Sequence, residues 1–193
     1  VMVCGPRQVG KTTILKEICM KISEDIEYIT FDDLQERYQA QDDPKSFLQR
    51  HSAPMLVDEF QYAPDILSYI KIDVDLHQKN GMYFLTGSQM FSMMRNAGES
   101  LAGRVGILDL YSFSYSEIIE RENKVFLPEL DLKQYAGIKQ RNLMEIFEHI
   151  FRGSMPKVVT TPNLSAVDYY RGYVRTYIER DIRDMINAKY ERK

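Results

Sequence analysis

The sequence predicts an α/β fold, with a five-stranded parallel sheet flanked by helices and followed by a small helical subdomain. Three observations lead there. Short apolar runs alternate with helical periods through residues 1–120, the order expected of parallel strands joined by crossover helices. A glycine-bounded string, Gly5 to Thr12, separates the first run from the first helical period. Beyond a polar stretch from Arg121 to Arg141, only helical periods recur.

The run Val1-Met2-Val3-Cys4 reads as the last part of a buried strand cut off by Gly5, and its abrupt start predicts that the natural chain begins earlier. From Lys11 onward Ile14, Ile18 and Ile22 recur at four-residue steps with Leu15 beside them. This stripe is expected to face the sheet, leaving Lys16, Glu17 and Lys21 in water. Tyr28-Ile29-Thr30-Phe31 is a second strand, stopped by Asp32-Asp33. A polar stretch follows, and Asp43-Pro44 then starts a short helix with a cap residue and a first-turn proline. Met55-Leu56-Val57 is a third strand, ending in two carboxylates. After Pro64, the residues Leu67, Ile70 and Val74 mark a helix that closes at Asn80-Gly81. Met82 to Leu85 and Ile107 to Leu110 supply the fourth and fifth strands.

Farther on, Leu143, Phe147 and Ile150, then Val167, Tyr170, Val174 and Tyr177, have helical spacing. The expected organisation is a core over 1–120, a connection over 121–141 and a helical subdomain over 142–193. The polar end from Asn187 to Lys193 also reads as a cut.

Composition narrows the function classes. A hydrophobic fraction of 44% and a charged fraction of 27% are those of an ordinary globular protein. The net charge of -3 gives no global basic field, so nucleic acid would need a local patch. No apolar run approaches the roughly 18 residues of a membrane span and no signal peptide is visible, which predicts a cytoplasmic protein. Cys4 and Cys19 fit neither zinc spacing nor a disulfide framework and read as reduced, buried side chains. His51, His77 and His149 lie too far apart for a metal site.

The string Gly5-Pro6-Arg7-Gln8-Val9-Gly10-Lys11-Thr12 matches G-x-x-x-x-G-K-[ST] between a strand and a helix, the context its mechanics require. Its glycines permit a tight curve of inward N–H groups, and the helix N-terminus adds positive potential. Lys11 then reaches the outer phosphates of a nucleotide, Thr12 ligates Mg2+, and Thr13 extends the binding stretch. Taken alone, the string could be a glycine turn beside an exposed lysine. These features predict a P-loop NTPase.

Asp58 and Glu59 close the third strand at the end where ligands of open α/β sheets collect. Asp58 is the expected magnesium residue and Glu59 the general base for the attacking water. Without the phosphate string the pair would read as a plain strand end. Ser88, after Tyr83-Phe84-Leu85-Thr86-Gly87, could report on the γ-phosphate by a hydrogen bond. Arg104 could supply charge to the transition state, in cis or to a neighbouring subunit, or be a surface arginine beside a strand. Arg171, Arg175 and Arg183, interleaved with Glu179, read as a solvated ladder.

Over most of its length the sequence resembles the prokaryotic AAA-type ATPases that carry a nuclease-like domain after the ATPase module. The resemblance rests on GPRQVGKTT (Gly5 to Thr13), VDEFQYAPDIL (Val57 to Leu67), FLTGSQ (Phe84 to Gln89) and SLAGRV (Ser100 to Val105). It continues in SFSYSE (Ser112 to Glu117), RGSMP (Arg152 to Pro156) and YVRTYIERDIR (Tyr173 to Arg183). It implies an AAA-type core with Ser88 in the first sensor position, Arg104 as a motif residue and Gln61 lining the site. It also implies, for the family, a helix before the first strand and winged-helix-like and nuclease-like parts beyond the ATPase module. None of these is expected within residues 1–193, so no nuclease activity is expected of them, and DNA would be met only through those domains. No family motif covers 121–141, and no second sensor arginine stands out.

The function expected is ATP hydrolysis coupled to movement of attached domains, with a homo-oligomer as one form of assembly. Two other readings share the motifs: a nucleotide-gated switch of very slow turnover, and a small-molecule kinase, to which a base beside Asp58 adds nothing. Adenine is the expected base, because Asn123-Lys124-Val125-Phe126 lacks the aspartate of the guanine-reading N-K-x-D pattern.

Overall fold

The computed structural model describes residues 1–88, 101–120 and 142–178. Among them β1 (Met2–Cys4), β2 (Glu27–Thr30), β3 (Met55–Asp58), β4 (Tyr83–Thr86) and β5 (Ile107–Asp109) form a five-stranded sheet. All pairings are parallel, in the order β2-β3-β4-β1-β5. Each strand lies within one residue of its expected bounds. The chain leaves β1 toward one edge and returns on its other side as β5, so the C-terminal end of β1 is a topological switch point. Crevices for ligands form there in open α/β sheets.

Helices cover the sheet on two sides. On one side α1 (Lys11–Ile22) buries Leu15 and Cys19 against Val3, Leu56 and Phe84. On the other, α3 (Pro44–Arg50) and α4 (Ile66–His77) bring Phe47, Ile66, Leu67 and Ile70 onto Met2, Met55, Val57 and Leu85. The residues of β1, β3 and β4 are all buried, as expected of central strands. The edge strand β5 differs: its three residues are exposed, Leu108 by 59%.

The expected face of α1 is corrected by the structure. Ile14, Ile18 and Ile22 point outward, and the buried row is Lys11, Leu15 and Cys19. Both rows step by four residues, and they lie about 100° apart around the helix. Lys11 is drawn into the loop before the helix by the carbonyls of Gly5 and Pro6, and Leu15 and Cys19 follow it inward on the same row. Cys4 and Cys19 are both buried and unbridged, as their spacing suggested.

The polar stretch before Asp43 contains a helix, α2 (Leu34–Asp42), where the apolar pattern predicts none. Only Ala40 of it is buried, so it has no apolar period to detect. Its start was legible all the same: Asp33 accepts from the N–H groups of Gln35 and Glu36, and an acidic residue stands three positions after the cap. Asp43 then caps α3 ahead of Pro44 as expected. α4 stops at His77, with Gln78 in the left-handed region, slightly ahead of Asn80-Gly81.

The chain divides into two compact units, Val1–Tyr111 and Ser112–Lys193. In the second, α5 (Tyr115–Ile118) opens with a capping box between Ser114 and Glu117. It is followed by α6 (Leu143–Arg152), α7 (Pro156–Thr160) and α8 (Ala166–Tyr173), which runs into a π-helical turn, Val174–Ile178. The helices expected from Leu143 and Val167 are α6 and α8. α7 is too short to show a period and is betrayed only by its first-turn proline. The Arg152 guanidinium donates to the carbonyls of Val158, Thr161 and Pro162, tying the end of α6 to the turn after α7. The connection over 121–141, the Asn123 string, Glu179, Arg183 and the tail from Asn187 lie outside the described residues. Arg171 pairs with Asp168 at 3.2 Å. Among the described residues no helix is long and apolar enough to cross a membrane.

Candidate functional site

The loop from Gly5 to Gly10 turns out of β1 and enters α1. Gly5 has φ +145°, and a Cβ placed on it would lie 2.0 Å from the Leu110 carbonyl oxygen. Gly10, at φ +94°, is the N-cap of α1 and has open space around it. Pro6, Arg7, Gln8 and Val9 complete the curve, with Gln8 itself at φ 62°. No side chain caps the helix and no acidic residue stands in its first turn, so its leading N–H groups stay available to an anion. Thr13 lies exposed in that turn.

Gly5→Ala therefore combines a strained φ with a backbone collision and is expected to cost about 3 kcal/mol or more of folding stability. Gly10→Ala meets only the left-handed penalty of about 1–2 kcal/mol. Denaturant midpoints of the two variants check this order, and equal midpoints would refute it.

Lys11 is only 6% exposed. Its ammonium donates to the carbonyls of Gly5 at 3.0 Å and Pro6 at 2.7 Å, so the loop closes on its own lysine. Burial lowers its pKa from the ordinary lysine value, and the carboxylates of Glu59 and Asp58 oppose that shift. An incoming anion would take over the carbonyls' role as the ammonium's partner.

Thr12, at the start of α1, meets Asp58, at the end of β3. The Thr12 hydroxyl lies 3.0 Å from each Asp58 carboxylate oxygen. Burial raises the Asp58 pKa above the usual carboxylate value, while hydrogen bonds from Thr12 and Tyr28 work against it. A hydroxyl and a carboxylate are hard oxygen donors, the set that suits Mg2+ when phosphate and water fill its other positions. Among the described residues no group of three or more His, Cys, Asp and Glu side chains could hold a metal by itself. The donor set therefore fits a magnesium ion carried in with a polyphosphate.

Tyr28 belongs to this cluster and was not singled out from the sequence. Its hydroxyl donates to Asp58 Oδ2 at 3.2 Å, and the Lys16 ammonium sits 3.4 Å from its ring centroid. Tyr28 pairs in register with Leu56, which makes Asp58 its diagonal neighbour two residues on. Only strand pairing reveals that neighbour, since β2 and β3 are far apart in the chain.

Glu59 leaves β3 in the left-handed region, φ 54° and ψ 39°, and opens a 3-10 turn over Phe60–Tyr62. Its carboxylate accepts from Ser88 Oγ at 3.2 Å and from the Gln61 amide. Lys11, Thr12, Asp58, Glu59 and Ser88 thus gather beyond the C-terminal ends of β1, β3 and β4. Arg104 does not join them. It lies two residues before Gly106, whose carbonyl accepts from Met2 at the opposite ends of the strands, and strands of this length rise about 10–13 Å. There it forms a two-point pair with Asp75, 2.6 and 3.1 Å. This hydrogen bonding lowers the Asp75 pKa.

A parallel sheet whose first strand passes through a glycine-bounded loop into a helix, with that helix's threonine facing a strand-end aspartate, defines the P-loop NTPase class. Residues 1–119 match the family model described as an AAA domain, and the chain belongs to that family of nucleotide-binding and nucleotide-hydrolysing P-loop proteins. It is also similar to two uncharacterized proteins, from Mycobacterium bovis and Mycobacterium tuberculosis. Each is 26% identical over 185 residues, covering 94% of this chain and 36% of the relative. The chain thus spans about a third of the length of these relatives.

Proposed function

We propose that this chain binds ATP with Mg2+ and hydrolyses it, and that the change of nucleotide state moves domains or partners attached to it. The observation that carries the reading is the 3.0 Å approach of Thr12 to Asp58, between two different structural elements, beside the buried Lys11 and the Glu59 carboxylate. The backbone from Gly5 through Pro6, Arg7, Gln8, Val9 and Gly10 to Thr13 wraps the phosphates, and Lys11 leaves its loop carbonyls to pair with the outer ones. Thr12 and Asp58 hold the metal, which when bound withdraws charge from the transferring phosphoryl group. Glu59 accepts the proton of the attacking water, and Ser88 orients that carboxylate. The nucleotide core is assigned to 1–120, the connection to 121–141 and the small helical subdomain to 142–193. The similar proteins are between two and three times as long as this chain, which supports attached domains as the moved parts.

Arg104 stands by the strand ends opposite its own chain's glycine-bounded loop, which favours action on a neighbouring copy's nucleotide in a homo-oligomer. Its partner there, Asp75, is exposed and screened by solvent, so the guanidinium is free to exchange it for a phosphate. The test is phosphate release from MgATP measured beside binding of a non-hydrolysable analogue, over a range of protein concentrations, with and without DNA. Analogue binding and a turnover that rises with protein concentration are expected. Binding without release would leave only the switch reading. Arg104→Ala should lower kcat with little change in affinity, and an unchanged kcat would remove Arg104 from the reaction.

A further inference from the structure

The 3-10 turn after β3 folds Gln61 back onto Glu59. Gln61 is 9% exposed and Ser88 2%, and both donate to one and the same carboxylate oxygen, Glu59 Oε2. An ionised carboxylate only accepts hydrogen bonds, so the amide has to present its NH2 group to Glu59. The amide oxygen is then left over. Gln61 Oε1 is buried and has no hydrogen-bond partner among the described residues. An unpaired buried acceptor costs folding stability, which methionine in the same space would not incur. Glutamine here is a poor packing choice and a good one for handling a small hydrogen-bond donor.

We propose that Gln61 is a further catalytic residue of the hydrolytic step. Its NH2 group and the Ser88 hydroxyl pin Oε2 of Glu59, which commits Oε1 of that carboxylate to the attacking water. Gln61 Oε1, closed to solvent as it stands, accepts the water's other O–H once a shift of the amide opens it, and so fixes the water's lone pair on the γ-phosphorus. In the step, the water oxygen bonds to that phosphorus, and the bond to the bridging oxygen breaks and leaves its electron pair on ADP. One proton passes to Glu59 Oε1, while Gln61 holds the second O–H without taking its proton. The turn places Gln61 two residues after the base, and the left-handed Glu59 backbone makes that return possible.

This inference rests on the ATPase reading, and the experiment separates the two. Gln61→Met keeps the volume and removes both contacts. Its kcat for MgATP is expected to fall at least about tenfold, while affinity for a non-hydrolysable ATP analogue stays within about twofold. Affinity for ADP with aluminium fluoride, which mimics the transferring phosphoryl group, should fall with kcat. Should the methionine variant not fold, Gln61→Glu has the same size, lacks the donor and is expected to lose at least as much kcat. An unchanged kcat in either folded variant, or analogue affinity falling in step with kcat, overturns the role of Gln61 and leaves the ATPase reading intact. A wild-type protein that releases no phosphate overturns both.

Discussion

Lys11→Ala is expected to remove nucleotide binding, with affinity falling at least a hundredfold, while the fold survives. The ammonium is the one buried cation in the described part of the site. Its present partners are neutral carbonyls at 3.0 and 2.7 Å, so exchanging them for phosphate oxygens strengthens each bond. Hydrogen bonds to charged groups contribute about 1.5–3 kcal/mol each, and two of them account for a hundredfold or more. Truncation also removes a buried stem, which makes Lys11→Met the sharper variant because it keeps most of that apolar length. Both variants should retain their unfolding transition and lose binding in an equilibrium titration with labelled ATP. Affinity within a few-fold of the wild type in either would show that the loop does not hold phosphates through this residue.

Much of this site was legible in the sequence because its parts are local. The phosphate string spans a single turn, and Asp58-Glu59 follow directly on an apolar run, so short-range rules reach them. The partners that adjust them are not local. Tyr28 touches Asp58 only because β2 and β3 pair in a particular register, and Ser88 reaches Glu59 across the ends of β3 and β4. Gln61 is near in sequence, yet its return depends on a left-handed backbone at Glu59 that no propensity would assign to glutamate.

The same contrast explains the fold. Strand bounds follow from the apolar runs to within a residue, whereas the rotation of α1 does not follow from its apolar pattern, in which three isoleucines outweigh a lysine. A buried lysine is unfavourable in packing terms, yet Lys11, tied to the Gly5 and Pro6 carbonyls, shares the inward row with Leu15 and Cys19. α2 was missed for the opposite reason: it packs through a single alanine and is specified by its cap.

Glu59→Gln separates binding from chemistry, and its expected result is a protein that holds ATP and turns it over at least a hundredfold more slowly. The substitution keeps size and the acceptor oxygen nearest in geometry, but it removes the only property a base must have, an affinity for a proton. General-base contributions of about 10²–10⁴ set the scale. The site predicts a second consequence. Gln61 and Ser88 now donate to Glu59 Oε2, and an amide at position 59 can still accept from them only by turning its own NH2 toward the water's side, where it repels an approaching O–H. Affinity for ATP should therefore be kept or rise while kcat falls, a pattern that single-turnover phosphate release and equilibrium binding resolve together. Equal losses in binding and turnover would mean that Glu59 supports the loop and takes no proton. Full activity would move the base elsewhere and leave the αL strain at this position without the function here given to it.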